Sequence, residues 1–125
     1  MDDNKKYWVA LNLGVGQYVG EAKKVIDHFS RIDELFKASI RELVALGINK
    51  KIAARLLSSP ILKEADKELK RAEKKQYFIL TWEDEQYPVY LREIFDPPGL
   101  LYGAGQVEVL NEPSVAIVGS RHPSP

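Results

Sequence analysis

The spacing of apolar residues changes period near residue 75, and this constrains the fold more than any other feature of the chain. Before that point apolar residues recur every three or four positions, the spacing of helices with one buried face. After it they form short β-rich runs cut apart by Pro88, Pro97, Pro98 and Pro113. One uniform architecture cannot satisfy both patterns. The first helical stripe is Tyr7, Trp8, Ala10, Leu11 and Leu13, closed by Gly14-Val15-Gly16. A second is Ala22, Val25, Ile26 and Phe29, and a third is short, Ile32, Leu35 and Phe36. Ser39 and Glu42 form a capping box that opens a helix ending at Gly47. Asn49 has the right chemistry to cap the next helix, and Ser59-Pro60 to open the last one. That last stripe runs through Ile61, Leu62, Ala65, Leu69 and Ala72 and ends in Lys70, Arg71, Lys74 and Lys75, which complement the helix dipole. Strands are expected at 77–82, 100–102 and 114–118, with a helical turn at 89–94. The strand at 114–118 reads as buried and parallel.

Composition removes several chemistries. The chain has no cysteine, which excludes disulfides, zinc–thiolate sites and thiol nucleophiles, and only two histidines, His28 and His122, which leaves no multi-histidine metal centre. No run of 18 apolar residues is present, so no membrane span is expected. The start MDDNKKYW lacks the basic-then-apolar order of a secretory signal. A formal net charge of zero argues, taken alone, against a nucleic-acid partner. The zero is a cancellation. Residues 1–75 carry 16 Lys/Arg against 11 Asp/Glu, a balance of +5, and residues 76–125 carry 2 against 7, a balance of −5.

Two glycine turns in the basic half form a weak repeat. Gly14-Val15-Gly16 is one, with a small residue, Gly20, six positions after its first glycine; Gly47-Ile48-Asn49 is the other, with Ala53 in that place. Both resemble the helix–hairpin–helix motif, in which backbone N–H groups at a helix start grip phosphates without reading bases. Lys50 and Lys51 would add Coulomb attraction. Asn49 stands where a second glycine is usual, and no lysine directly follows Gly16. The competing reading is two plain helix–helix turns in a small bundle.

The later half carries a more specific pattern. Tyr87-Pro88, Leu91, Ile94, Asp96-Pro97-Pro98, Leu100 and Tyr102-Gly103 stand in order, followed by Pro113-Ser114, Val118-Gly119-Ser120-Arg121 and Ser124. This series resembles the DprA/Smf family (DNA-processing protein A), and Tyr7-Trp8 with the two hairpins fits it less specifically. The resemblance implies a bacterial cytoplasmic protein that binds single-stranded DNA and loads the RecA recombinase onto it during natural transformation. It implies no catalytic reaction, catalytic residue, cofactor or metal, and it allows a homodimer. The implied fold is α+β: an all-α domain over 1–75, of sterile-alpha-motif-like or helix–hairpin–helix type, then the first strands of a truncated Rossmann-like α/β domain over 76–125.

The chemistry of the Gly-Ser-Arg loop agrees with that role. Gly119 lets backbone approach a phosphate, Ser120 offers a hydroxyl and Arg121 a planar fork for bidentate contact. Ser124 can cap a following helix whose start would complete the anion site. The bland alternative is a strand–turn with an exposed arginine. The sequence stops at Pro125, so the site is expected to be half built and DNA binding by this piece alone to be weak. The strands are expected either to pair in a small local sheet or to leave an edge open to another copy. Glu83-Asp84-Glu85 reads as a solvated turn rather than a metal site. Trp82, Tyr87, Tyr90 and Tyr102 have rings that stack on bases, and more often such rings form the core under a short sheet. His122 beside Ser120 lacks a third member of a catalytic triad. Three functions stand open: a single-strand-binding recombination mediator, a helical protein-interaction module without DNA binding, and the start of a Rossmann-type nucleotide-binding enzyme. Against the last, Val118-Gly119-Ser120-Arg121 lacks G-x-G-x-x-G spacing.

Overall fold

A computed structural model describes residues 3–18 and 20–124; the outer limits 1 and 125 of the two expected domains therefore lie outside the described residues. Among the described residues, six helices precede a two-stranded sheet. They are α1 (Asp3–Val15), α2 (Glu21–His28), α3 (Ile32–Leu35), α4 (Ile40–Ala45), α5 (Lys50–Leu56) and α6 (Ile61–Lys74). The strands are β1 (Phe78–Thr81) and β2 (Leu100–Gly103), joined by a stretch containing a 3-10 turn at Tyr90–Glu93; a second 3-10 turn follows at Val107–Asn111.

Helix α1 is the spine. Trp8, Val9, Ala10 and Leu11 are four consecutive buried residues. A run of that kind needs cover on every side, and α1 receives it from α2, α3, α5, α6 and β2. It meets α5 tightly at one point. Gly14 lies inside α1, and a methyl group there would collide with the Leu56 side chain. The sequence reading placed Gly14 in a hairpin turn; in the structure it is a contact glycine, and the turn begins at Gly16, whose φ is +57°. Gly20, expected on the second helix, instead caps α2 from outside with φ +83°.

The other caps follow the sequence closely. The Ser39 hydroxyl accepts from the Glu42 amide at 3.1 Å, and the Asn49 side chain accepts from the Lys51 amide at 2.8 Å. Gly47 ends α4 at φ +89°, with the Gly47 amide on the Val44 carbonyl and the Ile48 amide on the Leu43 carbonyl. That paired closure uses the left-handed region glycine enters without penalty. Helix α6 closes in the same way with a residue that lacks this freedom: Gln76 sits at φ +59°, its amide on the Glu73 carbonyl and the Tyr77 amide on the Ala72 carbonyl. Ser59 makes no cap bond, and Pro60 precedes α6 directly.

The expected small local sheet forms. Strands β1 and β2 pair antiparallel, from Phe78 opposite Gly103 to Thr81 opposite Leu100. Gly103 makes room there for the Phe78 ring, which a Cβ would displace. The hydrophobic core is continuous from the helices into this sheet through Ile79 and Leu100, and Gly99 lies under the Trp8 ring.

The third expected strand does not form. Residues 113–120 have no regular structure, and Val115, Ile117 and Val118 are 88%, 95% and 92% exposed. A buried strand needs ladder partners for its amides and a second layer for its side chains. Among the described residues neither lies beside this segment. No helix among the described residues is long and apolar enough to cross a membrane.

Candidate nucleic-acid interface

Residues 119–124 are exposed throughout. Gly119 has open space around it, and the Ser120 hydroxyl accepts from the His122 amide at 3.1 Å, a local turn. Arg121 has no ion-pair partner among the described residues. Ser124 caps no helix among the described residues. The loop presents its groups to solvent without the helix start that would complete an anion site.

The second hairpin is assembled, but its anion position is taken. The Asn49 amide at the start of α5 donates to Glu21 Oε2 at 3.1 Å. Glu21 is buried, pairs through Oε1 with Lys24 Nζ at 2.8 Å, and Lys24 in turn donates to the Gly47 carbonyl at 2.7 Å. A carboxylate from α2 thus meets the amide that a phosphate would have used. Lys50 and Lys51 remain exposed beside it, next to the exposed Tyr18. In the first hairpin Gly16 is exposed while Gly14 is buried, so the two glycines face different surroundings.

The ordered series from Tyr87 to Gly103 is built around one buried phenol. Tyr87 is fully buried and its hydroxyl donates to the Pro98 carbonyl at 2.5 Å. Burial pushes the Tyr87 pKa up, and the Arg92 guanidinium pulls partly against it. Arg92 lies 4.7 Å from the centres of both the Trp82 and Tyr87 rings and donates to the Asp84 carbonyl at 3.0 Å. The Asp84 carboxylate accepts from the Thr81 amide at 2.6 Å. The acidic run 83–85 is therefore partly structural: it ties the end of β1 into this cluster. Trp82 and Tyr87 are packed inward as expected, whereas Tyr90 and Tyr102 are exposed and are not core.

Sequence reasoning treated the lysines of α6 only as dipole complements and missed their arrangement. Lys63, Lys67, Lys70 and Lys74 are spaced 4, 3 and 4 residues apart and are all exposed. That spacing places them on one face, directly opposite the buried Ile61, Ala65 and Ala72. At the C-terminal end of the helix, Arg71, Lys75, Tyr77, Tyr102 and Glu68 line an open concavity of about 250 Å³. Burial pushes the Tyr102 pKa up, and the Glu68 carboxylate pushes it further.

A model of the family described as DNA recombination-mediator protein A matches residues 78–125. That span takes in the Tyr87 cluster, the sheet and the Gly-Ser-Arg loop. Over 135 aligned residues the chain is 30% identical to Protein Smf of Synechocystis sp. (strain ATCC 27184 / PCC 6803 / Kazusa), an alignment covering 98% of this chain and 32% of that protein. Both comparisons point to the DprA/Smf family that the sequence resembles. It spans about a third of the length of the curated relative it matches. No solved structure matches it significantly.

Proposed function

We propose that this chain is the N-terminal part of a DNA-processing protein that binds single-stranded DNA and helps load the RecA recombinase in the cytoplasm. In this reading residues 1–75 are a sterile-alpha-motif-like or helix–hairpin–helix domain, and residues 76–125 begin a Rossmann-like DNA-binding domain that can support a homodimer. The observation that carries it is the family match over 78–125, which includes the exposed Gly119-Ser120-Arg121. Exposure of these groups supports a loop awaiting its anion, and the exposed Val115, Ile117 and Val118 support a strand awaiting its sheet. The test is fluorescence anisotropy of a protein extended to the length of its relatives with a labelled single-stranded oligonucleotide at low salt. Binding that falls steeply with salt and ignores base sequence is expected. Absence of binding to that longer protein overturns the reading.

One observation favours a helical interaction module that does not touch DNA through its hairpins, namely the Glu21 carboxylate on the Asn49 amide. Reversing Lys50 and Lys51 to glutamate in the longer protein separates the two. Unchanged DNA affinity supports the module, and a loss of tenfold or more supports the hairpin.

A further inference from the structure

We infer that the outer face of α6, with the concavity between its C-terminal end and β2, is a second contact surface for single-stranded nucleic acid, distinct from the Gly-Ser-Arg loop. This rests on the reading of DNA as the ligand and adds to it a surface on the helical part of the chain. The electrostatic half of the argument is the stripe. Lys63, Lys67, Lys70 and Lys74 run over about 16 Å of helix at a rise of about 1.5 Å per residue. A strand within a duplex carries one negative charge per about 3.4 Å of axis, and an unstacked single strand is more extended, so the stripe spans at most about four or five phosphates. None of the four is paired with a carboxylate among the described residues. Elsewhere in the helical part Lys6, Lys23, Lys24 and Lys37 are paired, whereas Lys5, Lys50, Lys51 and Lys75 have no carboxylate partner among the described residues.

The aromatic half comes from the concavity beside the stripe. Tyr77 and Tyr102 are 44% and 41% exposed, and with Arg71 and Lys75 they line the same open hollow. A cationic track beside rings free to stack is the combination that holds unpaired bases, because every base has a π-face. A duplex keeps its bases stacked inside and would leave the tyrosines unused. An anionic membrane would also attract the lysines, but an interfacial helix needs a free apolar face, and the apolar face of α6 is buried against α1. Glu68 lines the hollow too and opposes a phosphate there, so it tempers the site.

The test is anisotropy of a labelled twenty-nucleotide oligothymidylate with the whole 125-residue chain at several salt concentrations. Far-UV circular dichroism checks that each variant is folded. Lys67→Gln, Lys70→Gln and Lys74→Gln combined are expected to weaken binding at least tenfold. They should also flatten the slope of log affinity on log salt by about 2, from about 0.7 for each single-strand phosphate contact. Tyr102→Thr, which suits a strand, is expected to weaken binding about tenfold with the slope unchanged. Glu68→Gln should tighten it. All three effects should persist in an Arg121→Ala background. If the triple variant binds like the original while Arg121→Ala abolishes binding, the inference falls and the reading of the loop stands. No binding of the original chain at low salt also overturns it, while the longer protein still decides the proposed function. Stronger binding to phosphatidylserine vesicles than to the oligonucleotide, insensitive to Tyr102→Thr, overturns it in favour of a membrane.

Discussion

At the scale of single residues, Gly14 shows what one letter can and cannot reveal. A glycine near a helix end serves either a turn or a close contact, and the sequence carries no sign of which partner arrives. Here the partner is Leu56, 42 residues later and fully buried, so its side chain cannot swing away. Gly14→Ala would gain about 0.5–1 kcal/mol of helix preference and lose about 1–3 kcal/mol to overpacking. A net loss is expected, read as a lower urea midpoint at unchanged slope. Tyr102 supplies a pH test. Its pKa is raised by burial first and by Glu68 second, so the folded state holds the phenol proton more tightly than the unfolded state. Below about pH 10 both states are protonated and nothing changes. Above it the unfolded state loses its proton first, and stability falls as pH rises. Tyr102→Phe should flatten this alkaline limb when urea unfolding is followed from pH 8 to 11. An unaltered limb would show that this phenol titrates alike in both states.

At the scale of elements, caps were legible and latches were not. Ser39, Gly47 and Asn49 announce helix ends because each satisfies orphan backbone groups with local chemistry, within three residues of its partner. Glu21 reaches 28 residues along the chain to Asn49, and no periodicity encodes that. Glu21→Ala leaves the Asn49 amide unpaired and Lys24 without its carboxylate, and should cost about 1–3 kcal/mol in urea unfolding. A near-zero cost would mean water replaces the latch. The corner after α6 predicts the opposite sign. Gln76 holds a left-handed conformation that costs a side-chain-bearing residue about 1–2 kcal/mol. Gln76→Gly should therefore raise the thermal midpoint, with part of the gain returned to the looser unfolded chain. The corner also aims Tyr77 at the hollow it shares with Tyr102.

At the scale of the molecule, the sequence separated basic from acidic halves but not the way they pack. The period change near residue 75 is real: α6 ends at Lys74 and β1 starts at Phe78. What periodicity missed is that Ile79 and Leu100 join the core of the helices. It also assigned Val115 to Val118 to a buried strand, because a short apolar run looks the same whether or not its neighbours are at hand. Since residues 113–124 are exposed and make no hydrogen bond to the rest of the described chain, a chain ending at Glu112 should keep its unfolding free energy, read from urea unfolding, within about 0.5 kcal/mol. A larger loss would show that this segment packs on the body.

The ring of Trp8 under Gly99 has an optical consequence. A Cβ on Gly99 would lie 3.0 Å from that ring, so the indole of α1 fills the seam where the helical half meets the loop leading into β2. Any parting of the two halves must bring water to it. Emission from Trp8, isolated by replacing Trp82 with phenylalanine, would shift to longer wavelength as the seam opens, giving the protein an internal gauge of whether its oppositely charged halves stay together when a polyanion arrives.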